Sequence, residues 1–372
     1  MSYVKVIMNE KKKVLIVVGT RPNIIKITQF KKYNQSSDRL EFKVVHTGQH
    51  YDEKMASSFF SQLGVEPDFF LNVPVASANA QIAHILLGLE SVCKEYAPDL
   101  MMAVGDVNST LAAAIAANKL GVKLAHLEAG LRSHDRSMPE EHNRVITDDL
   151  SDLFFVTEKS GLDNLIAEGK SEENIHRVGN TMIDTLVAFD SEIRKSEILG
   201  ELNLRKNEYM LMTMHRPSNV DSKGGLEKII ALILYFCEDY KVVFPVHPRT
   251  LNRMKEFALL SALENSENLV LTEPKDYFSF QRLIADCRFV ITDSGGVQEE
   301  TTFRGIHCFT LRPNTERPST ITDGTNVLVT FDNVRLAVSQ MMTDPKSRSA
   351  KVPPLWDGKA TERIVSVLAE IV

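Results

Sequence analysis

The chain has 372 residues, a length that favours two domains of ordinary size over a single core. Its composition, 43% apolar and 25% charged, is typical of a globular protein and excludes a disordered chain. The formal net charge of −6 excludes broad nucleic-acid binding, which needs a basic face. The cysteines have neither CxxC nor zinc-site spacing, and no signal peptide or membrane-length apolar run is recognisable. We therefore expect a cytoplasmic protein that binds no metal, no nucleic acid and no membrane.

Short apolar runs alternate with helix-period segments through the first half of the chain. The predicted strands are Val14–Val18, Phe42–His46, Leu100–Val104, Lys123–His126 and Leu153–Val156. The predicted helices are 22–33, 52–63, 79–96, 109–120, 139–150, 158–169 and a closing helix at 181–195. Apolar strands that alternate with helices favour a parallel sheet with both faces covered.

The second half repeats this rhythm. Its predicted strands are Tyr209–Thr213, Val242–Val246, Leu269–Thr272, Phe289–Thr292, Cys308–Leu311 and Val327–Val329. The charged stretch 190–207 is the predicted junction, so we place one α/β domain at 1–195 and a second at 196–372. The last helix is a candidate to pack back on the N-terminal domain. The predicted fold class is α/β, with two doubly wound Rossmann-like domains facing a central cleft.

The segment 292–300, Thr-Asp-Ser-Gly-Gly-Val-Gln-Glu-Glu, has the pattern of an anion site. A strand runs into Ser294–Gly296 at a helix start, where bare backbone N–H groups and the helix dipole favour a phosphate. The two glutamates that follow could hold hydroxyls such as those of a ribose. The alternative is an ordinary helix start that is capped by Asp293 or Ser294.

Polar residues also follow the first predicted strand. Arg21 and Lys26 flank a helix start that Pro22 favours, and both could address a phosphate there. Solvated surface cations are the alternative. No G-x-G-x-x-G is present, so a dinucleotide fingerprint is absent.

Carboxylates follow the third and fourth predicted strands. Asp106 follows Leu100–Val104, and its alternative role is to satisfy the amides of a turn. Glu128 closes an apolar strand, where packing does not explain it, because burying an unpaired carboxylate costs several kcal/mol. Glu128 is therefore the strongest single catalytic candidate of this half.

The segment Pro-Glu-Glu-His-Asn-Arg at 139–144 opens a predicted helix. Glu140 and Arg144 share one helical face, and the arginine would keep this carboxylate ionised. The alternative for Glu140 is a capping box with Ser137.

Two histidines follow strands of the second half, His215 and His247, and each has an arginine close by. A lone histidine at a strand end is more often structural, but two in equivalent places favour function. Arg317 lies in a segment with a second arginine and could clamp a phosphate with its planar fork.

These motifs together resemble the non-hydrolysing UDP-N-acetylglucosamine 2-epimerases. The resembling segments are Gly-Thr-Arg-Pro at 19–22, Thr-Gly-Gln-His at 47–50, Gly-Asp-Val-Asn-Ser-Thr at 105–110, His-Leu-Glu-Ala-Gly-Leu-Arg at 126–132, Pro-Glu-Glu-His-Asn-Arg at 139–144, His-Arg at 215–216, Pro-Val-His-Pro at 245–248, Asp-Ser-Gly-Gly-Val-Gln-Glu-Glu at 293–300 and Thr-Glu-Arg-Pro at 315–318. The resemblance implies a GT-B-like fold, a homodimer, UDP held mainly by the second domain, and interconversion of UDP-GlcNAc and UDP-ManNAc for surface polysaccharides.

The resemblance also implies roles for single residues. The implied catalytic residues are Asp106, Glu128, Glu140 and His215. The implied substrate contacts are Arg21, Lys26, Arg144, His247, Ser294, Gly295, Gly296, Glu300 and Arg317, with Phe280 near the uracil. Glu299 is then a structural neighbour of Glu300.

The implied chemistry suits these residue types. Cleavage of the C1–O bond to UDP gives an oxocarbenium-like centre that acidifies the hydrogen on C2. Cations and helix dipoles stabilise the departing diphosphate, and a positioned carboxylate takes the proton. The resulting 2-acetamidoglucal is reprotonated from the other face and UDP adds back, so no redox cofactor is needed.

At two places the chain departs from the better-known bacterial members. Residues 217–221, Pro-Ser-Asn-Val-Asp, replace an Arg/Glu-rich loop, and 51–53, Tyr-Asp-Glu, replace Arg-Glu-Met. The second region borders an activating UDP-GlcNAc site in the family, so allosteric activation is left open.

Four other functions compete with this interpretation. The nearest is an epimerase of another UDP-acetamido sugar, of the diacetamido-glucuronate or 6-deoxy-talose type. A GT-B glycosyltransferase shares the Ser-Gly-Gly site but needs no such set of carboxylates in its first domain. A hydrolysing epimerase and a non-catalytic nucleotide-sugar sensor are the remaining two.

Overall fold

The computed structural model describes residues 10–48, 59–74, 77–264, 266–343 and 351–372. The chain divides into two compact units, the first comprising Met1–Thr185 with Leu355–Val372 and the second Leu186–Pro354. The sequence placed the boundary at 195, whereas the units divide ten residues earlier, inside the predicted helix 181–195. The motif Thr-Gly-Gln-His at 47–50 lies partly outside the described residues, and the departure at 51–53 lies wholly outside them.

The described part of the first unit contains a seven-stranded sheet in the order β3-β2-β1-β4-β5-β6-β7, with all neighbours parallel. Its strands are β1 Lys12–Val18, β2 Leu40–His46, β3 Phe69–Phe70, β4 Leu100–Val104, β5 Lys123–Leu127, β6 Leu153–Val156 and β7 Ile175–Arg177. Its helices are α1 Arg21–Ile25, α2 Tyr33–Ser36, α3 59–63, α4 Ala78–Tyr96, α5 Asn108–Leu120, α6 Pro139–Leu150, α7 Lys159–Ala167 and α8 Thr181–Ala188, the last of which runs past the boundary between the units.

The described part of the second unit has six parallel strands in the order β10-β9-β8-β11-β12-β13. They are β8 Tyr209–Thr213, β9 Lys241–Pro245, β10 Leu269–Thr272, β11 Phe289–Thr292, β12 His307–Leu311 and β13 Asn326–Val329. The helices are α9 Asp190–Lys195, α10 Ile198–Glu201, α11 Pro217–Val220, α12 Lys223–Cys237, α13 Pro248–Glu256, α14 Tyr277–Asp286, α15 Gly295–Arg304, α16 Ser319–Thr322 and α17 Val334–Thr343. The prediction of two doubly wound α/β domains is confirmed.

Central strands of both units are buried over almost their whole length. Residues 14–18 of β1 and 289–292 of β11 are each at most 1% exposed. Strands covered on both faces carry continuous apolar runs, which is why the sequence located them well. The strands β3 and β7 were not predicted, because two or three residues are too few to show a pattern.

The predicted helix 22–33 is wrong. The segment forms the short helix α1, then a 3₁₀ turn at Phe30–Lys32 and the separate helix α2. The side chain of Asn23 holds the start of α1, because its oxygen accepts the N–H of Gly19 and of Thr20 in a capping box while its amide donates to Val104 O. These bonds attach the first turn to β4.

The last helix, α18 Ala360–Ile371, belongs to the first unit. The buried carboxylate of Asp184 accepts the N–H of Ala360 at 3.0 Å and of Thr361 at 2.6 Å, at the start of this helix. Trp356 donates from Nε1 to Thr157 O at 3.2 Å.

Within the described ranges, no helix is both long enough and apolar enough to cross a bilayer.

Candidate active site

The first unit has its topological switch between β1 and β4, where the strand order reverses. Ligands of doubly wound sheets bind beyond the carboxyl ends of the strands at such a point. Arg21 follows β1, Asp106 follows β4 and Glu128 follows β5, so the predicted residues lie at this edge. The turns are tightly fitted, because a Cβ on Gly19 would lie only 2.0 Å from Ser109 Oγ.

Glu128 has a buried side chain and an unusual backbone. Its φ is +75°, a left-handed conformation that costs a residue other than glycine about 1–3 kcal/mol. The N–H groups of Glu128 and Ala129 both donate to Phe155 O, at 3.1 and 3.2 Å, which holds the turn. Oε2 of Glu128 lies 2.5 Å from Nζ of Lys26, and the side chains are 3% and 6% exposed. Strain at a buried, charged position is typical of a functional site.

Lys26 was predicted to meet a phosphate, together with Arg21. Its ammonium group lies against Glu128, so the two charges balance each other, and the phosphate contact stays a prediction. Arg21 is half-buried, and its guanidinium lies 5.9 Å from the centre of the Phe59 ring.

Asp106 is fixed by helix α6. Arg144 donates from Nε and Nη2 to Oδ2 of Asp106, at 3.1 and 2.9 Å, and Asn143 donates to the backbone oxygen of Asp106 at 2.8 Å. The Arg144 side chain is 2% exposed and that of Asp106 is 28% exposed. The carboxylate is therefore held in place while it stays accessible.

The predicted pairing of Arg144 with Glu140 is wrong, because Arg144 donates from Nη1 to the buried Glu141. Burial raises the pKa of Glu141, but hydrogen bonds from Ser133 and His134 and the charge of Arg144 outweigh it, so this pKa lies below its usual range. Glu140 is half-buried on the first turn of α6.

The capping box between Ser137 and Glu140 is also wrong. Met138 is the N-cap of α6 and Pro139 follows as the first helical residue. Ser137 lies outside the helix, where its hydroxyl donates to Asp135 at 2.6 Å. Proline at the first position favours this start, because its missing N–H would have no partner there. Glu140 therefore does not have the capping role that was its alternative to a catalytic one.

Sequence reasoning missed a buried network behind these residues. His126 Nδ1 lies 2.6 Å from Asp148 Oδ1, and its Nε2 lies 2.8 Å from Gly105 O. Arg132 Nη2 lies 2.7 Å from Asp148 Oδ2. In the sequence, Asp148 is only one of several charged residues of the predicted helix 139–150. Nothing in the local pattern connects it with His126 on β5.

In the second unit the Ser-Gly-Gly segment opens α15 after β11, as predicted. Within the described chain, the Ser294 side chain makes no capping hydrogen bond to this helix. The buried Asp293 carboxylate instead accepts from the N–H groups of His215 and Arg216, at 3.1 and 3.0 Å, and from Asn219. The capping alternative is therefore wrong for both side chains. The first N–H groups of a helix without such caps are suited to an anion.

Asp293 orients His215. Nδ1 of the histidine lies 3.0 Å from Oδ1 of Asp293, and the side chain of His215 is 45% exposed. Burial raises the pKa of Asp293, but the contacts with His215, Asn219 and Arg216 outweigh it and lower this pKa. His247 has a different role in the fold, because its Nδ1 accepts the N–H of Arg249 at 3.2 Å and caps α13. The two imidazole rings are 6.4 Å apart.

A buried arginine lies beside the start of α15, and a second one pairs with the same glutamate. A Cβ on Gly295 would lie 3.0 Å from Nη1 of Arg317, so the guanidinium lies directly beside this helix start. Arg317 pairs with Glu316 at 2.6 Å and with Glu299 at 2.8 Å. Arg312, which the sequence reasoning did not select, pairs with Glu316 at 2.8 Å. The predicted structural role of Glu299 is consistent with this network.

Glu300 and Phe280 lie on neighbouring helices of the second unit. Burial, opposed by Gln281 and Arg304, raises the pKa of Glu300 from 4.5 to about 7. Phe280 is half-buried against a core cluster that includes Val297.

Within the described ranges, no group of three or more His, Cys, Asp or Glu side chains has the arrangement of a metal site.

Comparisons with known proteins agree with the resemblance seen in the motifs. The family model for UDP-N-acetylglucosamine 2-epimerase matches residues 32–369. A UDP-N-acetylglucosamine 2-epimerase of Methanococcus maripaludis is 39% identical over 364 residues, covering 96% of this chain and 98% of the relative. The crystal structure of Methanocaldococcus jannaschii UDP-GlcNAc 2-epimerase in complex with UDP-GlcNAc and UDP matches with a TM-score of 0.88 and 38% identity, covering 96% and 99% of the two chains.

A relative with another named activity is also similar. The UDP-2,3-diacetamido-2,3-dideoxy-D-glucuronate 2-epimerase of Pseudomonas aeruginosa is 34% identical over 363 residues, covering 96% of this chain and all of the relative. The family match extends over most of the sequence and both units. The chain therefore belongs to the UDP-N-acetylglucosamine 2-epimerase family.

Proposed function

We propose that this protein interconverts UDP-GlcNAc and UDP-ManNAc without net hydrolysis. The observation that carries the proposal is the nearly full-length similarity to the M. jannaschii enzyme, whose structure holds UDP-GlcNAc and UDP. The described residues support it independently, because α15 of the second unit starts without a side-chain cap, which suits an anion, and the first unit has two anchored carboxylates. The proposal includes a cytoplasmic homodimer that supplies surface polysaccharide synthesis.

In this proposal the second unit binds UDP. Ser294, Gly295 and Gly296 present backbone N–H groups to the diphosphate, and Arg317 supplies a planar cation beside them. Glu300 binds ribose hydroxyls, and Phe280 packs against the uracil. Arg21, Lys26 and His247 are further contacts, and Lys26 also pairs with Glu128.

The chemistry is an elimination followed by an addition. The C1–O bond breaks with its electron pair on UDP, and a base takes the proton from C2, which leaves a C1–C2 double bond in a 2-acetamidoglucal. Protonation on the other face and return of UDP give the epimer. Asp106, Glu128 and Glu140 are the proposed acid/base groups of the first unit, with Arg144 as a fixed cation. His215, oriented by Asp293, completes the catalytic set.

One experiment separates this proposal from its competitors. The protein is incubated with UDP-GlcNAc in D2O and the sugar nucleotides are followed by NMR. We expect two UDP-sugars with deuterium at C2. Free ManNAc with UDP would indicate a hydrolysing enzyme, and a sugar that keeps all its hydrogen at C2 would overturn the proposal.

The P. aeruginosa relative supports a second candidate, epimerisation of UDP-2,3-diacetamido-2,3-dideoxy-D-glucuronate. The same D2O assay with this sugar nucleotide, at equal concentration, decides between the two. Faster deuterium incorporation into the glucuronate than into UDP-GlcNAc would favour the second candidate.

A further inference from the structure

Asp148, on the inner face of α6, connects two turns that carry proposed catalytic carboxylates. The whole residue is inaccessible to solvent. Its Oδ2 accepts the N–H of Gly130 at 3.1 Å, in the turn that follows β5 and contains Glu128. Its Oδ1 lies 2.6 Å from Nδ1 of His126, which is also fully buried.

His126 carries this connection to the second turn. Its Nε2 lies 2.8 Å from the backbone oxygen of Gly105, the residue before Asp106. A carbonyl oxygen only accepts hydrogen bonds, so Nε2 is protonated and donates a hydrogen bond to the oxygen of Gly105. A carboxylate oxygen also accepts, so Nδ1 donates to Asp148 as well. The imidazole thus acts as a rigid double donor between a carboxylate and a backbone carbonyl.

The two turns need such fixing. Gly105 has a φ of +70° and Glu128 a φ of +75°, so both turns contain left-handed backbone. The N–H of Gly105 donates to Leu127 O at 3.0 Å, so the turns also touch directly. A Cβ on Gly105 would lie 3.4 Å from Nζ of Lys26 and 3.9 Å from Oε2 of Glu128. The two turns are therefore in direct contact, and the carboxylate of Glu128 lies close to the backbone of Gly105.

Arg132 and Glu168 close the network from outside. Arg132 Nη2 lies 2.7 Å from Oδ2 of Asp148, and its side chain also bonds Glu168 at 2.9 and 2.6 Å. The positive charge of Arg132 balances that of the buried carboxylate. Oδ1 of Asp148 contacts His126, and Oδ2 contacts both Gly130 and Arg132. A neutral amide could not accept from all three donors at once.

We propose that Asp148 and His126 are positioning residues that hold the turns of Asp106 and Glu128 in one fixed arrangement for the epimerisation. The inference rests on the proposed function for its catalytic consequence. Its structural content, the coupling of two turns through one buried pair, is independent of the substrate.

The test uses Asp148→Asn, His126→Gln and the double variant of the full chain. Misplacing a reacting group by about 1 Å costs on the order of 10²-fold in rate. We expect each single variant to lose about that factor in kcat for deuterium incorporation at C2, with the affinity for UDP unchanged. Because the pair acts as a unit, the double variant should lose little more than either single variant.

Asp184→Asn is the matched control. Asp184 is a buried carboxylate of the same unit that also accepts two backbone N–H groups, but it holds the start of α18. This control reports what a loss of stability alone does to kcat. Equal losses of kcat in Asp184→Asn and Asp148→Asn, at equal thermal stability, would overturn the positioning role.

Amide hydrogen exchange provides a second readout that needs no activity. Both single variants should accelerate exchange in both turns, at 105–107 and at 128–130, while Asp184→Asn leaves these turns protected. Acceleration confined to 128–130 in Asp148→Asn would overturn the coupling. If the wild-type protein incorporates no deuterium at C2, the proposed function fails, and the exchange data still decide whether the pair couples the two turns.

Discussion

The ammonium group of Lys26 lies 2.5 Å from the carboxylate of Glu128, although the two residues are 102 positions apart in the chain. Both side chains are almost fully buried. This pair changes how a substitution of the proposed base must be interpreted, because removing one partner of a buried ion pair destabilises the fold by about 3–5 kcal/mol.

Glu128→Gln should abolish deuterium incorporation at C2, because an amide does not take up a proton from carbon. It should leave the affinity for UDP, which the second unit provides, nearly unchanged. Unfolding of the first unit should occur at lower temperature, since Lys26 loses its counter-charge. NMR in D2O, calorimetric titration with UDP and thermal unfolding check the three effects.

The double variant Lys26→Met, Glu128→Gln is the matched control for stability. It removes both buried charges, so it should recover much of the lost stability and none of the exchange. A loss of UDP affinity as large as the loss of exchange would show that Glu128 binds the nucleotide rather than acting on C2.

Asp293→Asn should lower kcat by at least about tenfold, because the carboxylate that orients a catalytic histidine can contribute up to about 10⁴-fold. The amide group would place its own N–H donors against the donors of His215, Arg216 and Asn219. His215 would then lose its orientation. Steady-state kinetics check this outcome, and an unchanged kcat with intact folding would exclude a role for the pair.

Arg317→Lys should weaken UDP binding by about ten- to a hundredfold, since each 1.4 kcal/mol is a factor of ten. A guanidinium can contact Glu316, Glu299 and a phosphate at once, whereas an ammonium is a single point charge. Calorimetric titration with UDP measures the change. The exposed Arg253, whose charge is paired only with Glu256 among its described contacts, provides the control substitution Arg253→Lys.

Glu300 makes stability depend on pH in a defined direction. Its pKa is raised from 4.5 to about 7 by burial, so the folded state holds this proton more tightly than the unfolded state. The stabilisation is fully present below about pH 4.5 and is lost as the pH rises to about 7. Glu300→Gln should therefore become more stable relative to the wild type across this window.

Thermal unfolding of both proteins from pH 4 to pH 8 measures the effect of Glu300. The midpoint of the change in relative stability should lie between the two pKa values, and the difference should stay constant above about pH 7. A difference that is constant over the whole range would contradict the buried state of this carboxylate.

Local pattern was enough to predict most of the fold and the edge on which the site lies. Buried parallel strands carry continuous apolar runs, so their ends could be identified, and the residues after them had to lie at one edge of a sheet. The same pattern failed for the helix 22–33, because the apolar spacing continues through a segment that forms α1, a 3₁₀ turn and α2. The division at 185 differs from the predicted boundary at 195, because it falls inside helix α8, where no loop or change of composition marks it.

By itself, then, the sequence determined the doubly wound architecture, the strand-end location of Asp106, Glu128 and His215, and the family of the chain. Only the tertiary structure decided which charges meet. Arg144 pairs with Asp106 and Glu141 rather than with Glu140. The carboxylate of Asp293 contacts His215 and does not cap α15. The physical reason is that the periodicity of apolar residues is a local property of the sequence. An ion pair depends instead on the distance between side chains that can be far apart in the chain.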